Sequence, residues 1–445
     1  MPLRRLAILA LAGPIAVGGC AGLSPYASND ASPAAVATQS PTRAPSAFPS
    51  PTAPEIPGVV LLAGAPRDTS AVAEGDVSAV TAADIDFGLD LLRQLDRERE
   101  EPNLAISPAS IATVLSMIVA GARGRTAKEM SDVLHAPFEG DRLHRARNGY
   151  DRIIRERFAT EGVDLALANQ LFGQPGTCTP TFVDTMSREY GAPLATVDFT
   201  DPEPARALIN RWVADHTGRR IEELMPKGSI DESTVLVLAN AMHLDAAWRY
   251  ELDPEFTHQA PFELRDGTSV QVPTMHYDWS LPLAQGDGWT ALELPYSGDQ
   301  TSMVLLDADL DTFLRKLDAR RLREIFGKLA MSGIHASFPR FSMTVRSSLR
   351  KPLEALGMRT VFQPASADLG PMGCGKHVGV IEHEAFIEVD EKGTEAAAAT
   401  GAMIPGSHGP TVAFARPFLL FVRDRATDAV LFMGRVDDPR ELASD

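Results

Sequence analysis

The sequence predicts an α+β fold for everything beyond about the first eighty residues. Helical apolar spacing dominates from Asp84 to Thr217, alternating or continuous apolar runs dominate from Thr234 onward, and no segment repeats another. With 445 residues, 44% of them hydrophobic, the chain can bury a sizeable core in one large domain or two ordinary ones. A net charge of -17 argues against nucleic-acid binding and against docking through a polybasic surface, both of which need clustered Lys and Arg.

The first helix is predicted from Ile85, Phe87, Leu91, Leu92 and Leu95, ending before Pro102. Asn103 to Ile106 then reads as a short strand, and Ser107-Pro108 as an N-cap followed by proline at the first helical position. Ile111, Val114, Leu115, Ile118 and Val119 make that second helix apolar enough to be buried, up to Gly121. Thr126 and Glu129 have capping-box spacing for a third, running through Met130, Val133 and Leu134. Strands follow at Leu165 to Phe172 and Ala195 to Phe199, and helices at Pro180 to Tyr190 and Glu203 to Thr217. Thr234 to Leu244 is a long continuous apolar run of the kind found at a sheet centre. A hairpin is predicted around Asp266-Gly267, strands over Leu292 to Leu306, His335 to Val345 and Val412 to Phe421, and helices over Leu310 to Leu329 and Leu349 to Leu356.

The N-terminus is of another kind. Arg4 and Arg5 precede an apolar run from Leu6 to Val17, too short to span a bilayer, so residues 1–19 read as an export signal. Val17-Gly18-Gly19-Cys20 resembles the bacterial lipobox, which implies lipidation of Cys20 and anchoring at a membrane; ordinary cleavage and secretion is the other reading. Arg4-Arg5 alone does not establish twin-arginine export. Residues 20–80 are rich in Ala, Pro, Ser and Thr and are expected to be a disordered tether, with a reach of roughly 40 to 45 Å for about sixty residues. Cys178 and Cys374 remain, too far apart in sequence for a spacing argument about pairing. No Cys or His cluster has metal spacing, and no cofactor is expected.

Ile381 to Asp390 alternates, with Ile381, His383, Ala385, Ile387 and Val389 on one face and Glu382, Glu384 and Glu388 on the other. This half-buried strand feeds into Glu391-Lys-Gly393-Thr394-Glu395-Ala396-Ala397-Ala398-Ala399-Thr400, which has no bulky side chain and no proline. Such a segment can lie exposed as a loop or enter a sheet as a strand.

From about Asp84 to Pro439 the chain resembles a serpin. The resemblance rests on Asn103 with Ser107-Pro108-x-Ser110, Gly121 to Met130, Ile209-Asn210 with Thr217-Gly218, Leu238-Ala-Asn240-Ala, Leu292-Glu-Leu-Pro-Tyr296, Glu388 to Ala399, Arg416-Pro417-Phe418 and Leu431 to Val436. Ala415 departs from it, standing where the family usually carries Asp or Asn. The resemblance implies a serpin domain over residues 81–445, monomeric, with no catalytic residues, inhibiting a serine or cysteine protease through a covalent 1:1 complex. Glu391, Gly393, Thr394, Glu395 and Ala396 to Ala399 would be the hinge of a reactive loop that inserts into the large sheet once cut. The reactive bond would be Ser407-His408 counting forward from Glu391, or Gly406-Ser407 counting back from Pro417; Met403-Ile404 lies early. By the same resemblance Ser107, Ser110, Asn240 and His383 belong to a polar cluster under the sheet where strands part. A non-inhibitory surface binding module on the same fold is the alternative, and Gly406-Ser407-His408 lacks the context of a hydrolase nucleophile elbow.

Overall fold

The computed structural model describes residues 56–62, 64–98, 102–158, 162–176, 178–373, 376–394 and 409–440. Two sheets organise them. The first runs β1 (Val60–Leu62), β4 (Leu194–Thr196), β3 (Val163–Gly173), β5 (Leu236–Ala247), β12 (Val380–Val389) and β11 (Phe341–Ser348), and β13 (Gly393–Thr394) joins β5. The second runs β14 (Thr411–Ala413), β10 (Ala330–Pro339), β7 (Ser269–Gly286), β8 (Trp289–Pro295), β9 (Thr301–Ala308), β15 (Phe418–Asp424), β16 (Val430–Val436) and β2 (Leu104–Ile106), with β6 (His258–Glu263) on β7. The helices are α1 (Glu74–Glu98), α2 (Pro108–Val119), α3 (Gly124–Val133), α4 (Gly140–Phe158), α5 (Pro180–Thr185), α6 (Pro202–His216), α7 (Leu310–Lys316), α8 (Ala319–Phe326) and α9 (Arg350–Leu356).

β5 sits at the centre of the first sheet, antiparallel to β3 and parallel to β12. Its continuous apolar sequence follows from that place, because both faces are covered: one by the core holding α1 and α2, the other by α6 through Ile209, Trp212 and Val213. Ser107 caps α2 as expected, its hydroxyl accepting from Ser110 N, with Pro108 opening the helix. Gly267, at φ +82°, turns β6 into β7.

Several expectations change. Part of the predicted tether has structure: among the described residues β1 pairs with β4, and α1 begins at Glu74, so the folded part starts well before residue 81. Its few apolar residues are enough because an existing sheet edge receives them. Thr126 and Glu129 make no capping box; α3 starts at Gly124 without a side-chain cap, and both residues serve other segments. Thr126 Oγ1 accepts from Asp368 N, and Glu129 accepts from Arg359 N and Thr360 N, which holds its carboxyl down at about 2 although burial opposes it. The segments Leu292 to Leu306, His335 to Val345 and Val412 to Phe421 each divide into two strands, and Leu310 to Leu329 into two helices, because turns or bends fall inside each apolar run. The arginine-rich α4 was not anticipated.

Arg147 of α4 is fully buried against Asp84 of α1 at 2.6 Å. Burial pushes the Asp84 carboxyl up to about 6, against the pull of the arginine. Cys178 is disulfide-bonded, and Thr179 N and Oγ1 donate to Met372 O and Pro371 O at 2.9 and 2.6 Å; Cys374 lies outside the described residues. Among those residues no helix is long and apolar enough to cross a membrane, and no group of three or more His, Cys, Asp or Glu could hold a metal ion.

Asn103 closes the second sheet. Its Oδ1 accepts from Asp437 N and Asp438 N at 2.9 and 3.0 Å, and its Nδ2 donates to Asp438 O at 2.7 Å, all buried. Asn103→Ala strands two buried N–H groups and is expected to cost about 2–4 kcal/mol, read as a lower urea midpoint at unchanged m-value.

Candidate functional site: a seam in the first sheet

Seven positions pair β5 with β12, from Val237 with Val380 to His243 with Phe386. Beyond them the strands part. Past the end of β12, Asp390 folds the chain back: its Oδ1 accepts from Lys392 N and Gly393 N, and its own N–H donates to Gly393 O. The turn sends Gly393 and Thr394 antiparallel along Ala247 and Ala246 of β5, in the gap left by the parting strands. A β-carbon at 393 would sit 2.1 Å from Ala246 O, so glycine is required by close approach.

Around this entry the side chains form a rigid frame. Trp248 stacks on Tyr296 with centroids 4.8 Å apart, its indole N–H donates to Asp390 O, and its backbone N–H to Lys392 O. Tyr296 Oη and Thr394 Oγ1 lie 2.8 Å apart, with Thr394 fully buried. Glu391 is buried as well, accepting from Thr257 Oγ1 at 2.6 Å, with Arg340 at 3.9 Å. Glu395 and Ala396 to Ala399, and Gly406, Ser407 and His408, lie outside the described residues, as does Cys20.

Below the entry, where β5 and β12 are still joined, His383 faces Asn240 across the seam. Ser107 N donates to His383 Nε2 at 3.2 Å, so Nε2 is the unprotonated nitrogen and the proton sits on Nδ1, which bonds Asn240 Oδ1. Asn240 Nδ2 in turn donates to Ser110 Oγ at 2.8 Å and to Asn169 Oδ1 at 2.7 Å. Ser107, Ser110, Asn240 and His383 are thus brought together, and Asn169 of β3 joins them. The missed signal for Asn169 is register, since it stands directly opposite Asn240. The network couples β3, β5, β12 and the N-terminus of α2.

Burial lowers the His383 ring to about 3, well below the ordinary imidazole value, with the Asn240 bond opposing. His243, whose ring lies 5.6 Å from Phe386, is lowered to about 4, again chiefly by burial. Both rings are neutral at pH 7. On the opposite face of β12, Glu382 and Glu384 are buried where an exposed face was expected, because the sheet is covered on that side also. Burial raises the Glu382 carboxyl to about 7 and raises Glu384, which Arg346 holds at 2.9 Å.

Comparison with known proteins agrees with this architecture. The serpin (serine protease inhibitor) family model matches residues 82–439. This chain is a serpin. It is 35% identical over 379 residues to the leukocyte elastase inhibitor of Bos taurus, covering 81% of this chain and 99% of that one. It is 34% identical over 364 residues to antithrombin-III of Mus musculus, covering 77% and 78%. A crystal structure of native protease nexin-1 with heparin superposes with a TM-score of 0.73 at 27% identity, over 82% of this chain and all of the other. Serpins are protease inhibitors rather than catalytic enzymes, and a target protease is the partner the family implies. The departure at Ala415 leaves the fold intact: its carbonyl accepts from Glu263 N, and Arg416 reaches Asp307 at 2.8 and 3.1 Å.

Acid should loosen this serpin through its buried rings. An unfolded histidine takes up its proton near pH 6.5, while His243 and His383 in the fold resist until about 4 and 3, so their contribution is full above 6.5 and is lost as pH falls through that window. Glu382 has the opposite sign, its contribution full below about 4.5 and lost as pH rises toward 7. In urea titrations at pH 7 and pH 5, His383→Gln should shrink the acid-induced loss of stability. Glu382→Gln should stabilise at pH 8, by on the order of 1 kcal/mol, and have little effect at pH 4.

Proposed function

We propose that this serpin inhibits a serine or cysteine protease as a suicide substrate. The protease's nucleophile attacks the scissile carbonyl of an exposed loop, the peptide bond breaks with loss of the new amine end, and the acyl bond that this leaves tethers the protease to the freed segment, which enters between β5 and β12 and carries the protease along before that bond hydrolyses. The observation that carries this reading is the entry of Gly393 and Thr394: the first two residues of the segment already pair antiparallel to β5 at the point where β12 departs. Continuing in that register, Glu395 and Ala396 to Ala399 would pass down the seam, and alanines are slim enough to do so quickly. Adding a strand of about ten residues makes on the order of ten ladder hydrogen bonds at about 0.5–1.5 kcal/mol net each, comparable with the whole stability of a domain. The intact chain is then held above its lowest free energy, and proteolysis releases the difference.

The scissile bond is proposed at Ser407-His408, with Gly406-Ser407 as the neighbouring choice. Small residues there suit proteases with shallow primary pockets, and similarity to the bovine leukocyte elastase inhibitor supports that choice. Export and attachment to a membrane through Cys20 are proposed on the sequence alone. The complex would be covalent, with one serpin per protease.

A panel of serine and cysteine proteases should yield SDS-stable complexes, and N-terminal sequencing of the released C-terminal fragment locates the bond. Loop-nicked protein should melt well above intact protein; an unchanged melting temperature would remove the insertion reading and favour the non-inhibitory binding module. Thr394→Arg places a charge at the buried first step of entry. It should slow insertion and raise the ratio of cleaved to complexed serpin by about tenfold or more.

A further inference from the structure

The segment before α1 lies outside the part of the chain that matches the family, which begins at residue 82, yet it is folded against the domain at both ends. Its first half grips the outer edge of the first sheet. Ile56 is buried in the core with Trp212 of α6, Gly58 closes on Leu208, and Val60–Leu62 add an antiparallel strand to β4. It then crosses the helical turn after α5, where Ala65 N donates to Asp184 Oδ1 and Asp68 N to Arg188 O.

Its second half grips α4. Arg67 Nε donates to Asn148 Oδ1 at 3.0 Å and Arg67 Nη2 to Asp151 Oδ2 at 2.6 Å; Asn148 Nδ2 returns a bond to Asp68 O, and Arg152 donates to Ser70 O. Val72 packs onto Gly149 so closely that a β-carbon there would lie 2.7 Å from it. α4 is in turn fixed to α1 by the buried Arg147 and Asp84 pair.

The strand order makes this arrangement consequential. β1, β4, β3 and β5 lie on one side of the seam, β12 and β11 on the other. Admitting a strand between β5 and β12 requires the two groups to move apart, and the segment joins the far edge of the β5 group to α4, which is fixed to α1. Contacts at its two ends resist the displacement together. We propose that residues 56–72 are a strap that keeps the seam closed in the uncut protein and slows premature entry of the loop, an inference that rests on the loop-insertion reading above.

The test uses the full chain with Arg67→Ala at one end of the strap and, separately, Ile56→Ala at the other. Each should speed spontaneous conversion of uncut protein to a non-inhibitory, higher-melting form by about tenfold, while lowering the melting temperature of the native form and leaving that of the loop-nicked form unchanged. Two variants are used so that poor folding of one leaves the other decisive. Equal losses in native and nicked protein, or an unchanged conversion rate, would overturn the strap alone. A wild-type chain whose melting temperature does not rise on nicking would overturn the insertion reading and the strap with it, and that outcome is visible before any variant is made.

Discussion

Everything in the first sheet depends on the pairing of β5 with β12, two parallel strands held over seven positions and prised apart above them by a two-residue wedge. Parallel pairing is slightly weaker per residue than antiparallel pairing, and among the described residues it is what joins β1, β4, β3 and β5 to β12 and β11. The His383 network reinforces it from below: one imidazole, kept neutral by burial, links the strands across the seam to the N-terminus of α2.

Charge is arranged around this seam in two senses. His243 of β5 and His383 of β12 are buried as neutral bases and Glu382 of β12 as a carboxyl with a raised pKa, so acid and base press on the same seam from opposite directions. Buried Glu384 of β12 pairs with Arg346 of β11, and buried Glu391 lies near Arg340. Neither of these pairs joins β5 to β12.

Much of the fold was legible because its core elements are strongly periodic: α2 with its Ser107 cap, the apolar run of β5, the turn at Gly267. What failed did so for identifiable reasons. Residues 56–72 are too poor in apolar side chains to fold alone, and their order depends on a sheet edge contributed by residues more than a hundred positions away. Thr126 and Glu129 carry a local capping pattern that tertiary partners override. Glu382 and Glu384 alternate as an exposed face would, but coverage of both sides of a sheet is not written in one strand. Ser107, Ser110, Asn240 and His383 were gathered by family resemblance; Asn169 could be found only from the register of β3 on β5.

β2 lies near the beginning of the folded chain and pairs with β16 near its end, and Asn103 locks onto Asp438 across 335 positions. A nascent chain emerging amino end first must hold β2 without its partner until β16, more than three hundred residues later, has been made. Assembly of the second sheet thus waits on distant contacts and is slow. Sticky intermediates are exposed throughout that wait, which ties the yield of this protein to whatever shields it during synthesis.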